Sequence, residues 1–306
     1  MTTRVASAPV SWGVWERTVG RHDLLSPEQL LQAVASLGYR AIELGPPGYF
    51  GDDGASVRKT TEPFGLEVVG AFVPLHLADE AAFRADLDEL NRTIEILAEG
   101  ARGAIVLLAD AGTPERADVA GQPEELRQTS LGGAALERAA DRLSRAAERC
   151  RDRGLAAALH PETGSYIAAP AEVEALLERT DRELLDLCFD TGHILVGGGD
   201  PVRLARDWAE RISHVHLKDV SAELLARLRA GELNVEAAWA EGLFCPFGDG
   251  AVDLDGFLAL PELARYTGWL VLEQDRVAVR VDDLPAVRAT EERNLSFVTR
   301  LLGVAT

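Results

Sequence analysis

Eight short apolar runs, separated by stretches of helical periodicity, restrict what this chain can fold into more than any other feature. The runs are Arg4–Val10, Ala41–Leu44, Glu67–Val73, Gly103–Leu108, Leu155–His160, Leu184–Phe189, Ile212–Leu217 and Trp269–Glu273. Most are continuously apolar rather than alternating, the pattern of strands covered on both faces, as in parallel sheets. Ser26-Pro27 opens a helix that stops at Gly38, a capping hydroxyl followed by proline at the first helical position, and Asp200-Pro201 repeats the signal. Glu80–Glu99, Ala134–Arg153 and Asp283–Leu302 read as long amphipathic helices. Strict alternation implies parallel strands joined by helical crossovers. Eight such units close into an α/β fold, a single (β/α)8 barrel.

The competing architecture is an open doubly wound sheet, which would carry a glycine-rich phosphate loop after its first strand. Here the first run leads into APVSWGVWE, with no such loop. Gly197–Gly199 follows the sixth run and reads as a flexible loop feeding the Asp200 cap. No Pro/Gly/Ser-rich linker divides the chain, so residues 1–306 are expected to form one domain. Ala111–Ser130 and Leu233–Asp255 read as long loops at the mouth of the barrel, where substrate walls usually lie.

Composition excludes some functions. With 31 Lys+Arg against 50 Asp+Glu, the formal charge is −19, which argues against a nucleic-acid partner or an anionic membrane surface. Apolar runs such as Ala104–Ala109 are far shorter than the ~20 residues of a transmembrane helix. The N-terminus lacks the apolar core of a signal peptide, so the expected location is the cytoplasm. Cys150, Cys188 and Cys245 are too widely spaced for a disulfide framework or a metal knuckle, and are expected to be reduced.

The chemistry gathers at strand ends. Of six histidines, His76, His160, His193, His214 and His216 lie at or just past the C-termini of runs; His22 does not. Glu43, Glu162, Asp190, Asp219, Glu273 and Asp275 join them. In a barrel those ends converge on one mouth. A buried carboxylate is costly unless paired or bound to a cation, and almost no arginine stands at these ends to build a salt-bridge ring. The mixture of His, Asp and Glu suits one divalent ion: Mn²⁺ or Co²⁺ in the first place, with Mg²⁺ or Zn²⁺ as alternatives. By the two-residue period of a strand, His214, His216 and Lys218 share a face, with His216 nearer the mouth and His214 packed deeper. His160 and Glu162 share a face by the same rule, and either can be the ligand from the fifth strand.

CFDTGH, HVHLKD and GWLVLEQD, in this order at the ends of runs six, seven and eight, resemble the xylose isomerase-like TIM-barrel superfamily of sugar isomerases and epimerases. APVSWGVWE, AIELGPPGYF and CPFGDGAVDL are similar to its inosose dehydratase branch. The resemblance implies one metal held by one side chain from each of strands five to eight: His160 or Glu162, Asp190, His216 and Glu273. It also implies that carboxylates from strands five and eight, Glu162 and Glu273, act as acid–base groups.

That resemblance implies an enzyme of carbohydrate metabolism or inositol catabolism, acting on a keto-cyclitol or keto-sugar. A bound metal polarises the carbonyl, a carboxylate or histidine removes the α-proton, and Lys218 helps to stabilise the enolate oxygen. Reprotonation gives isomerisation or epimerisation; expulsion of a β-hydroxyl gives dehydration. Trp12, Glu43, His76 and His193 are the expected substrate-binding residues. Trp15 is expected to plug the mouth, Asp275 to orient a ligand, and Asp249 and Asp253 to form turns. A non-catalytic sugar-binding barrel and, less favoured, an endonuclease IV-like repair enzyme are the alternatives. The expected partner is a small-molecule sugar or cyclitol, and homo-oligomers are compatible with the sequence.

Overall fold

The computed structural model describes residues 4–303. Every run contributes a barrel strand: β1 Arg4–Ser7, β2 Ala41–Ile42, β3 in two pieces, Glu67–Val68 and Gly70–Leu75, β4 Ile105–Asp110, β5 Ala156–Leu159, β6 Asp186–Asp190, β7 Ile212–Leu217 and β8 Trp269–Leu272. All neighbours pair in parallel, and β8 pairs with β1 through Arg4↔Trp269 to Ser7↔Leu272. The two pieces of β3 are joined through Val69, whose N–H donates to Ile42 O at 3.1 Å and whose carbonyl accepts from Ile105 N at 3.1 Å. The ring is therefore closed. The first strand ends earlier than its apolar run because Pro9, which has no N–H for a ladder, opens a 3-10 turn over Pro9–Trp12.

Strand parity separates two cores. Val215 and Leu217 of β7, Leu187 and Phe189 of β6, and Ala157 and Leu159 of β5 pack outward with the helices. Inside the barrel the floor is made of small residues: Ala6, Ala41, Val69 and Val271 in one cluster, Ile105, Leu107, Ala158 and Cys188 in another. The next inward position on β5 to β8 is polar.

The predicted helices form with their caps. Ser26 Oγ accepts from Gln29 N over Pro27–Ser36, Asp79 opens Glu80–Gly100, and Asp200 Oδ1 accepts from Val202 N and Arg203 N over Pro201–Asp207. Gly133–Asp152 and Leu284–Leu302 are the other long helices. The two mouth segments carry more structure than expected of loops. Pro114–Asp118 and Pro123–Thr129 are helical, the first capped by Thr113, both with proline at the first position. Asn234 caps Val235–Ala240, and Phe244–Cys245 pairs antiparallel with Asp219–Val220. Gly197–Gly199 is not a flexible spacer. A Cβ on Gly197 would meet Ala168 O at 1.9 Å, and one on Gly199 would meet Leu204, Ile194 and Pro170 within 2.8 Å. Gly197 is there because its backbone touches that of Ala168, and Gly199 because side chains close over it. No described helix is long and apolar enough to cross a membrane.

Candidate metal centre and active site

The inward polar positions of β5 to β8 converge below a cavity of about 800 Å³. His216 Nδ1 lies 2.9 Å from Glu273 Oε2, 3.6 Å from Asp190 Oδ2 and 3.2 Å from His160 Nε2, and His160 Nε2 is 3.6 Å from Asp190 Oδ2. Donors ~2.1 Å from one ion stand roughly 3.0–3.4 Å apart, the edge of an octahedral or tetrahedral shell. All four residues are buried. Asp190 Oδ2 makes no well-directed hydrogen bond among the described residues, its neighbouring cation being Lys218 Nζ at 3.1 Å; its other oxygen accepts from His193 N at 2.8 Å. Four carboxylates, Glu162, Asp190, Glu273 and Asp275, act on the ammonium of Lys218, an excess that a divalent cation would offset. Donor spacing and charge both fit a metal ion.

Glu43, at the end of β2, orients the strand-seven histidines. Its Oε1 lies 2.8 Å from His214 Nε2 and 2.9 Å from His216 Nε2. Burial disfavours charge on His216, but Cys188, Glu273 and Glu43 hold its pKa well above the usual histidine value; with Nε2–H given to Glu43, the proton on Nδ1, facing Asp190, Glu273 and His160, is the one a metal ion would displace. Burial alone would raise the Glu43 carboxyl, yet His216 and His214 hold it well below the usual carboxylate range. His214 is one period deeper and buried.

Lys218 Nζ reaches Glu273 Oε2 at 2.8 Å, Asp190 Oδ2 at 3.1 Å, Asp275 Oδ2 at 3.2 Å and His193 Nε2 at 3.0 Å. Burial disfavours its charge, but Asp190, Asp275 and Glu273 hold its pKa above the usual lysine value. His193 accepts this contact through Nε2 and turns Nδ1 to Thr163 Oγ1 at 2.8 Å; burial and then Lys218 hold it well below the usual histidine range, so it is neutral. Burial pushes the Asp275 carboxyl up to about 7, against Lys218 and with Glu273. Glu162 stands on the cavity side of His160. Its Oε2 is 3.6 Å from His160 Nδ1 and 3.6 Å from His193 Nε2, and its side chain keeps 29% of its surface exposed. Burial of the carboxyl end raises its pKa, Lys218 opposing and Asp275 reinforcing the rise.

Other residues lie elsewhere than the sequence suggested. Trp12 is fully buried, donating Nε1–H to Ser7 Oγ at 3.0 Å, and is not on the cavity wall; Trp15 is. His76 is half-exposed against Asp86 at 3.0 Å and does not line the cavity. Asp219 turns away from Lys218 and accepts four backbone N–H groups, from Val220, Gly248, Gly250 and Val252. Asp253 caps Leu254–Leu258, and Asp249 pairs with Arg293. Cys150 and Cys188 are buried and Cys245 is half-buried, all as free thiols.

Sequence reasoning missed Asp110, Phe72, Phe244 and Trp239 on the cavity wall. Asp110 ends β4 in LLAD and accepts from Leu77 N, Gly112 N and Tyr166 N, and the strand-end rule used for its neighbours would have found it. Trp239 sits on the inserted helix Val235–Ala240, within the segment expected at the mouth, but nothing in the sequence singled it out there.

Residues 31–293 match the family described as the xylose isomerase-like TIM barrel. An inosose dehydratase of Geobacillus kaustophilus is 33% identical over 274 residues, covering 89% of this chain and 87% of that protein. An L-ribulose 3-epimerase superposes with a TM-score of 0.70 at 18% identity, over 99% of this chain and 95% of that one. The IolI protein with a bound zinc atom superposes with a TM-score of 0.69 at 14% identity, over 98% and 99%. The chain belongs to the xylose isomerase-like TIM-barrel family, on its inosose dehydratase-like branch.

Proposed function

We propose that this chain is a divalent-metal enzyme that removes a proton next to the carbonyl of a keto-cyclitol or keto-sugar, and that it completes the reaction as a dehydratase. The observation that carries the reading is the convergence of His160 Nε2, Asp190 Oδ2, His216 Nδ1 and Glu273 Oε2 beneath an open cavity. These four residues would hold the ion. His160 is favoured over Glu162 because its Nε2 faces His216 Nδ1 at 3.2 Å and Asp190 Oδ2 at 3.6 Å, whereas Glu162 stands beyond its opposite nitrogen. Two imidazoles with two carboxylates suit Mn²⁺ or Co²⁺ better than Mg²⁺. When bound, such an ion supplies Lewis-acid polarisation of the substrate carbonyl.

The chain's own groups supply the rest. Glu43 fixes the imidazole of His216 by its hydrogen bond. Lys218 offers N–H donors to the oxygen on which charge develops as the α-proton leaves. Glu273 is the buried carboxylate nearest this lysine and accepts the α-proton. Glu162, open to the cavity and with its carboxyl pushed upward, gives a proton to the departing β-hydroxyl. Dehydration is favoured over epimerisation by the 33% identical inosose dehydratase, since the epimerase neighbour shares only 18%.

The test is proton NMR in D₂O with keto-inositols and ketoses, using Mn²⁺- or Co²⁺-loaded protein. Deuterium entering the carbon beside the carbonyl, with an unsaturated or dione product, is the expected result. Deuterium without elimination would reassign the protein to epimerisation. No exchange with any ketone, at one bound metal per chain, overturns the reading.

A further inference from the structure

The cavity is larger than its chemistry needs. A single keto-cyclitol ring displaces on the order of 200 Å³, the share of about seven waters at ~30 Å³ each, whereas the cavity measures about 800 Å³. The remainder lies under residues that contribute nothing to the metal centre. Trp15, from the segment after β1, and Trp239, from the inserted helix Val235–Ala240, both line it, with ring centroids 4.8 Å apart and planes at 57°. Both indoles are only partly buried. Trp15 is held in place by Nε1–H to Val277 O at 2.7 Å, with the Arg17 guanidinium 4.6 Å from its ring. Trp239 Nε1 is buried and has no partner among the described residues. Around the pair stand Arg17, Asp118 and Glu236, also on the cavity wall.

We infer that Trp15 and Trp239 form a second binding subsite, and that the ligand has two rings: the keto ring at the metal centre and a second ring, pyranose or aryl, joined to it through a glycosidic oxygen. Indole faces stack on the C–H face of a sugar or on an aromatic ring. Arg17, Asp118 and Glu236 supply hydroxyl partners at the rim. The assignment of the first ring rests on the function proposed above; the second subsite rests on the cavity and its aromatic wall.

The experiment compares non-reacting glycosides on the metal-loaded protein by calorimetry. Phenyl β-D-glucopyranoside is expected to bind about tenfold tighter than methyl β-D-glucopyranoside, the worth of one aromatic stacking contact. Trp239→Ala should bring that ratio close to one. Trp239→Phe, which keeps a smaller ring, should fall between the two. Equal affinities in the wild type, or a ratio unchanged in both Trp239 variants and in Trp15→Leu, overturns the subsite. Because neither glycoside reacts, a protein that discriminates between them yet exchanges no α-proton would remove the proposed chemistry and leave the subsite standing. Exchange without discrimination would do the reverse.

Discussion

The candidate metal centre and the outer wall of the cavity are built by opposite means. At the centre each side chain sits at the C-terminal end of a β-strand or one residue past it, on β5, β6, β7 and β8, and its position follows from strand parity and register. The wall is carried by segments 113–129 and 234–240, which belong to no barrel strand and are fastened by buried polar anchors. Arg116 is fully buried. It grips both Glu172 oxygens at 2.7 and 2.8 Å and donates to Ser165 O and Leu126 O, at 2.8 Å each. Asp219 holds the backbone of Gly248–Val252 in the same way. A centre set by register is rigid wherever the barrel forms. A wall set by anchors can be lost while the barrel persists.

The strongest break of that comparison is at the ligands. Asp190→Ala, His216→Ala and Glu273→Ala should each lose the metal, measured by elemental analysis, and lower turnover by at least ~10³-fold, since several kcal/mol of charge stabilisation go with the ion. Their circular dichroism should stay that of the wild type. A ligand variant that keeps its metal would remove that residue from the centre.

Arg116→Ala acts on the wall instead. Removing one partner of a buried ion pair leaves Glu172 charged and unpaired, at a cost of about 3–5 kcal/mol. Denaturant unfolding should record that loss while metal content stays at the wild-type level. Lost metal in this variant would mean that wall and centre are a single cooperative unit.

Lys218→Met probes the boundary between the two. It should retain metal and lower kcat by about 10²-fold, the cost of one oxyanion donor. Lys218→Arg should rescue poorly, because a planar fork does not replace a compact ammonium among Glu273, Asp190 and Asp275. Near-wild-type kcat in Lys218→Met would confine this lysine to its salt bridges.

The same contrast explains what the sequence made legible. Apolar runs and the two-residue period located β1 to β8, set His214, His216 and Lys218 on one face, and brought His160, Asp190, His216 and Glu273 to one mouth. Parity could not choose between His160 and Glu162, because both positions point inward; the proposal for His160 rests on the contacts of its Nε2 with His216 and Asp190. The sequence put Trp12 at the substrate and Trp15 in a plug, whereas Trp15 and not Trp12 lines the cavity, since the 3-10 turn after Pro9 breaks the strand period that would have oriented them. The outer wall was the least legible part. Arg116 and Glu172 are 56 residues apart, and Trp15 meets Trp239 across more than two hundred. Such contacts leave no local periodicity to read.

Glu43 gives the smallest and most discriminating effect. It lies on the cavity wall, and its Oε1 is shared by His214 and His216. Glu43→Gln keeps the shape and one acceptor but loses the charge that strengthens both hydrogen bonds. Metal affinity should fall by about 10–100-fold, the usual cost of changing a carboxylate behind a metal-bound histidine, and kcat at saturating metal should change less than affinity. His214→Ala removes the competing claim on Oε1 and should keep the metal. If Glu43→Gln instead raises KM with metal affinity unchanged, Glu43 binds a substrate hydroxyl and the histidine-orienting role falls. If His214→Ala loses metal while His216→Ala does not, the centre is built one period deeper on β7 than the register indicates.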